Sequence, residues 1–242
     1  MRTAEIEVYS FDELSYEAKE RALAKWRETE DHHWGGEVRD TIAAFEKEFG
    51  VDIRSWQYSS YNHRFSLDLS RIDDDVLALK GNRARAWFWN NHAHVLLAPA
   101  RHYWTHGRDG KLFRAVAPDS RVYQSKVFYD RVYDGTCPFT GVCFDNDALD
   151  PLAYFCFGVV WDAEKKRRIQ STARTVAADD RNTVESVLRD CVDSLFAAAQ
   201  QDWEGQESEE YFRDFCEANE WEFTEDGDRW WRKEAATRAA SA

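Results

Sequence analysis

Apolar and polar residues alternate along this chain with two different periods, and the switches between them outline its elements. Glu5 to Tyr9 alternates with period two, Ile6 and Val8 on one face and Glu5 and Glu7 on the other, which predicts a short strand. The period then lengthens. Leu14, Ala18, Ala22 and Trp26 recur every four residues and predict a helix, with Ser10 and Glu13 at capping-box spacing and Ser15 as a second N-cap candidate. Gly35 and Gly36 interrupt it. Val38, Ile42, Phe45 and Phe49 repeat the stripe in a second helix, which Gly50 stops.

From Val51 to Leu69 the period returns to two, clearest at Phe65, Leu67 and Leu69. Segments 83–90, 93–97 and 121–133 also read as strands, being rich in Val, Tyr, Phe and Trp, and Arg108-Asp-Gly-Lys111 reads as a hairpin turn. Asp73-Asp-Asp75 reads as a helix N-terminus, where the helix dipole favours acids. Residues 150–161 carry mixed signals: Asp150-Pro151 can open a helix, whereas Phe155, Phe157, Val159 and Trp161 alternate like a strand. The helical reading is taken as far as Phe157.

The most regular signal is 183–203, where Val184, Val187, Leu188, Cys191, Val192, Leu195, Phe196, Ala199 and Trp203 keep the three/four spacing throughout. A short helix over 208–219 follows, then a hairpin from Trp221-Glu-Phe through a polar turn to Arg229-Trp-Trp. With no internal repeat and no Pro-rich linker, the expectation is one α+β domain over 1–233. It would be a largely antiparallel sheet packed against several helices, with a frayed tail at 234–242.

Composition narrows the class. A chain of 242 residues, 43% hydrophobic and 15% aromatic, can bury a core despite being 32% charged, which excludes a disordered polypeptide. No apolar run approaches the roughly 20 residues that span a bilayer. The first residues carry acids where a signal peptide needs an apolar stretch, so the expected location is the cytoplasm, with no membrane partner. Five cysteines, an odd number with no CxxC pair, fit reduced thiols, and Cys156 and Cys191 read as small core residues.

The net charge of −13 is unevenly placed. Residues 1–50 carry −6 and residues 201–242 carry −8, while 80–126 carry +7. Acidic ends thus flank a locally basic centre.

Candidate chemistry is sparse. His92-Ala-His94 would put two imidazoles on one side of a strand, with His102, His106 or His63 as a third ligand, but no acid sits at ligand spacing and a hydrated strand face explains the pair. His32-His33 read as surface residues. Cys137 and Cys143 are too far apart for a zinc knuckle and lack a second pair, so a structural loop is expected. Gly107-Arg-Asp-Gly110 matches a bare GxxG, and Gly110-Lys111 lacks the rest of a phosphate-binding loop. The expectation is no catalytic centre, no metal and no cofactor.

Two stretches could bind a macromolecule. In the basic centre, Arg83, Arg85, Arg101, Arg108, Lys111, Arg114, Arg121 and Lys126 are interleaved with Trp87, Trp89, Tyr103, Trp104 and Tyr123. Cations for phosphates with aromatics for stacking suit single-stranded nucleic acid, although a sheet with aromatics inside and arginines outside gives the same pattern. In the acidic C-terminal region, Glu207, Glu209, Glu210, Asp214, Glu217, Asp226 and Asp228 accompany Trp203, Trp221, Trp230 and Trp231. Charge with aromatic anchors suits a basic protein surface, and a solvated helix and hairpin is the plain alternative.

Three motifs stand out: Tyr9-Ser-Phe-Asp-Glu-Leu-Ser15 with Glu17-Ala-Lys19 and Ala22, Cys137-Pro-Phe-Thr-Gly-Val-Cys-Phe-Asp145, and Glu217-Ala-Asn-Glu-Trp-Glu-Phe-Thr-Glu-Asp-Gly227. Together they resemble a family of uncharacterised proteins from phages and other bacterial mobile elements, often labelled as antitoxins of toxin–antitoxin systems. Residues 155–180 depart from the family pattern and read as an insertion. The resemblance implies a mobile-element origin and a bacterial host cell. Small acidic proteins of such elements commonly inhibit host defence complexes. The leading expectation is therefore a non-enzymatic inhibitor of a host protein or nucleoprotein complex, of anti-CRISPR or anti-restriction type, acting through acidic surfaces. One alternative is a nucleic-acid-binding or antitoxin-like regulator using 80–126, and another is a cryptic enzyme built on His92, His94 or Cys137.

Overall fold

The computed structural model describes residues 7–96, 102–106, 112–116, 137–157, 159–162, 167–170 and 182–230. The protein is of mixed α+β class with antiparallel strand pairing, as its sequence implies. Helices dominate. Among the described residues the strands form four separate two-stranded hairpins, and the anticipated sheet is divided among them. The chain divides into two compact units, one of residues 1–35, 59–61 and 200–242, the other of residues 36–58 and 62–199. No linker in the sequence marks this division, because the smaller unit is assembled mainly from the two ends of the chain.

The larger unit contains α2 (Gly35–Phe49) from Gly36 onward, β1 (Asp52–Tyr58) paired with β2 (His63–Asp68), α3 (Asp74–Leu77) and α4 (Gly81–Leu96). It continues with β3 (His102–His106) paired with β4 (Leu112–Val116), α5 (Phe144–Phe157), β5 (Val159–Asp162) paired with β6 (Arg167–Gln170), and α6 (Val184–Gln206) up to Ala199. Val38, Ile42, Phe45 and Phe49 are buried along α2, and Gly50, at φ +66°, closes it in the left-handed conformation that favours glycine. Leu188, Cys191, Val192, Leu195 and Phe196 of α6 are inaccessible to solvent and form the middle of the core. Phe196 meets the rings of Trp56, Tyr58, His63 and Phe65, which ties the β1–β2 hairpin to the helix.

Segments 83–90 and 93–97 read as strands from their aromatic content, and here the structure overturns the sequence. Residues 83–96 belong to helix α4, and only Leu97 lies outside the described residues. Ala84, Phe88, His92 and Val95 are buried along it, spaced four, four and three apart. Composition outweighed periodicity in that expectation; the helical stripe was present beneath the aromatics. The helix expected to open at Asp150-Pro151 starts earlier, at Phe144, carries Pro151 inside it and ends at Phe157 as read. Asp73 stands at the N-cap of α3 with Asp74 and Asp75 in its first turn. Segment 121–133, the Arg108–Lys111 turn and the tail at 234–242 lie outside the described residues.

The smaller unit holds a 3-10 turn (Phe11–Glu13), α1 (Tyr16–Thr29), the end of α6, α7 (Glu209–Ala218) and the hairpin of β7 (Glu222–Phe223) with β8 (Arg229–Trp230). Ser15 caps α1 by accepting from the amide of Ala18 at 3.2 Å. Glu13 takes both the backbone N–H and the hydroxyl of Ser10, at 2.8 and 2.9 Å. Of the expected N-terminal strand, Tyr9 bridges Phe223 through a reciprocal pair of backbone hydrogen bonds, and Glu5 and Ile6 lie outside the described residues. The core is Phe11, Leu14, Ala18, Ala22, Leu23, Trp26, Phe212, Cys216 and Phe223. Phe11 and Phe212 meet edge to face, with centroids 5.0 Å apart.

Candidate interaction face

The charge of the protein is concentrated in the smaller unit, whose sequence holds 22 Asp and Glu against 10 Lys and Arg, or −12 of the chain's −13. Helix α7 explains how these acids are displayed. Ser208 caps it by accepting from the amide of Tyr211 at 3.2 Å, and Glu209 and Glu210 lie in its first turn, where the dipole favours them. Phe212 and Cys216 turn inward, four residues apart. Glu209, Glu210, Asp214 and Glu217 are left on the exposed side. The helix ends with Trp221 N–H bonded to the carbonyl of Cys216 at 2.9 Å and Glu220 at φ +51°. A non-glycine residue in this conformation costs about 1–2 kcal/mol.

The hairpin beyond α7 rests on α1. Arg21 Nε donates to the carbonyl of Asp226 at 2.9 Å while its Nη2 lies 3.5 Å from the carboxylate, and Lys25 pairs with Asp228. Arg27 donates to the carbonyl of Glu207 at 3.0 Å. Arg213 bonds Asp12 at 2.9 Å and Glu209 at 2.8 Å, and Lys19 donates to the carbonyl of Asp12 at 2.9 Å. Arg229 lies over Trp221, its guanidinium carbon 3.2 Å from the ring centroid, and burial holds it below the usual arginine range. These six are all the described lysines and arginines of the unit, and each is engaged within it. By contrast, the carboxylates of Glu210, Asp214, Glu217 and Glu220 have no hydrogen-bond or ion-pair partner among the described residues.

The acidic stretch expected from sequence is therefore partly internal. Glu209, Asp226 and Asp228 are spent on the unit's own ion pairs, while Glu210, Asp214 and Glu217 face outward. Trp221, expected as a partner anchor, is half-buried against Trp26, Phe212 and Phe215 beneath Arg229, so it serves the core. Trp203 stacks on the buried His32, whose Nε2 lies 2.8 Å from Asp202. That corrects the surface reading of His32. Glu220 and the pair Asp12 and Glu13 complete the acidic face, with Arg213 bonded to Asp12 within it, and no sequence spacing could have joined them, since they come from opposite ends of the chain.

No known protein family, curated protein or solved structure matches this chain.

The other candidates resolve differently. Arg83, Arg85, Trp87 and Trp89 share helix α4, not a strand. Arg85 donates to the carbonyl of Phe155 at 3.1 Å, and Trp87 packs on the core. Arg101, Arg108 and Lys111 lie outside the described residues, as does the side chain of Trp104. The strand face expected to carry His92 and His94 is not formed, because both positions lie on helix α4. His92 is buried and hydrogen-bonded to Glu48 at 2.8 Å. Among the described residues no group of three or more His, Cys, Asp or Glu could hold a metal ion.

The Cys137–Asp145 loop is built around a residue the sequence did not single out. Asp145 is fully buried and accepts from the amides of Phe139, Thr140 and Gly141 and from the hydroxyls of Thr140 and Thr41, at 2.7–3.2 Å. Burial pushes the Cys216 and Cys156 thiols up to about 12, which keeps them protonated at neutral pH. No described helix is long and apolar enough to cross a membrane.

Proposed function

We propose that this protein is a non-enzymatic binding protein whose smaller unit presents an acidic face to a basic surface on a host protein or nucleoprotein complex. The supporting observation is the asymmetry of its charges: every described lysine and arginine of that unit is satisfied internally, while Glu210, Asp214 and Glu217 of α7 have no partner among the described residues. Such a face attracts a cationic groove and repels nucleic acid. A complex that handles nucleic acid must carry such a groove, which makes a host defence assembly the fitting target. The motif resemblance to mobile-element proteins points the same way and stands as a proposal of origin.

The test is capture of bacterial lysate proteins on the immobilised full chain, with and without nuclease. A partner retained after nuclease treatment and released by salt supports the proposal. Capture that nuclease abolishes supports instead the nucleic-acid reading of residues 80–126.

A further inference from the structure

A groove of about 620 Å³ opens on the smaller unit, between the 3-10 turn and the end of α7. Its walls carry Asp12 and Glu13 on one side and Glu217, Glu220 and Glu222 on the other, with Arg213 as the one cation among its lining residues. Tyr9 and the half-buried Trp221 add aromatic surface. The volume lies within the range of sites that enclose a ligand or a peptide side chain, about 300–1,000 Å³. Resting on the acidic-face reading, we propose that this groove seats an arginine-bearing segment of the protein partner.

Two observations carry the choice of occupant. The first is charge complementarity. Arg213 is already shared between Asp12 and Glu209, so it does not neutralise Glu217 and Glu220, whose carboxylates lack partners among the described residues. The second is the mixture of carboxylates with aromatic rings, which suits a guanidinium better than an ammonium. Arginine is planar, takes carboxylates through two N–H groups and stacks on rings, whereas lysine is a strongly hydrated point charge. The unit's own arginines already use both modes, Arg213 on carboxylates and Arg229 on Trp221.

The experiment uses the full chain and a fluorescent nona-arginine peptide, with nona-lysine beside it, at low and physiological salt. The groove variant is Glu217→Gln with Glu220→Gln; the control is Glu28→Gln with Glu204→Gln, two exposed acids of the same unit outside the groove. Loss of two charge-assisted contacts is expected to weaken nona-arginine binding by about tenfold or more in the groove variant. The control should change it by less than about twofold, as surface charges away from the contact do. Nona-lysine should bind more weakly than nona-arginine, and the melting temperatures of both variants should match the parent. No binding by the parent, equal losses in groove variant and control, or equal affinity for the two peptides would overturn the assignment. Partner capture lost in Glu210→Lys with Asp214→Lys, but peptide binding untouched in the groove variant, would remove the groove and keep the acidic face. Peptide binding lost in the groove variant, with capture indifferent to Glu210→Lys and Asp214→Lys, would keep the groove and remove the wider reading.

Discussion

Gly227 lies against the backbone carbonyl of Ala18, so close that a Cβ at position 227 would collide with it. Its φ of +82° independently excludes most side chains. The acidic hairpin therefore docks on α1 through a backbone contact that glycine alone permits. Gly227→Ala should destabilise the smaller unit by about 2 kcal/mol or more, since neither the carbonyl nor the turn can yield cheaply. Hydrogen exchange at Ala18 to Trp26 should accelerate, and unchanged exchange there would contradict the contact.

Leu188 is inaccessible to solvent, in the second turn of α6 and within the larger unit's core. Leu188→Asp would bury a charge with no partner and should cost about 3 kcal/mol or more. A melting curve that this substitution leaves unmoved would contradict the packing of the helix.

Relief of the Glu220 strain gives the opposite sign. Glu220→Gly should raise the stability of the smaller unit by up to about 1 kcal/mol, because glycine adopts positive φ freely. The same substitution removes a groove carboxylate, so stability should rise while nona-arginine affinity falls. Chemical denaturation and the peptide titration together check this.

What the sequence made legible was what repeats. The stripes of α1, α2 and α6, the Ser15 cap and the terminal hairpin all follow from spacing, because a helix or strand face leaves its own period in the chain. Helix α4 was misread where Trp87, Phe88 and Trp89 raise strand propensity, a preference that depends on packing more than on backbone. The groove was not legible at all. Asp12, Glu13, Glu217 and Glu220 meet only because the ends of the chain fold together, and the inward use of Arg21, Lys25 and Arg213 shows only in three dimensions. Charge counting located the acidic region but could not separate Glu210 and Asp214 from Glu209, Asp226 and Asp228, which the protein uses itself.

Glu13 makes the Ser10 cap dependent on pH. The Ser10 backbone N–H, and then its hydroxyl, hold the Glu13 carboxyl below the usual glutamate range, against a slight opposing effect of burial. A depressed carboxyl pKa contributes stability that is present above the ordinary value and lost as pH falls through the folded one. Carboxyl NMR should therefore place the Glu13 midpoint below that of exposed glutamates, and Ser10→Ala should move it back upward. A Glu13 midpoint equal to theirs would show that the cap does not form.

The most direct test of the acidic face is nuclease-treated lysate capture by the parent chain and by the combined variant Glu209→Lys, Glu210→Lys and Asp214→Lys. Among the described residues the substitutions break only the exposed Glu209–Arg213 pair, worth about 0.3–0.5 kcal/mol, and place two cations in the first turn of α7, so the melting temperature should fall by a few degrees at most. The expected result is a nuclease-resistant partner held by the parent, released as rising salt screens charges beyond about 8 Å, and absent from the variant. Undiminished capture by the folded variant, or capture that disappears in Arg83→Glu instead, would contradict the account.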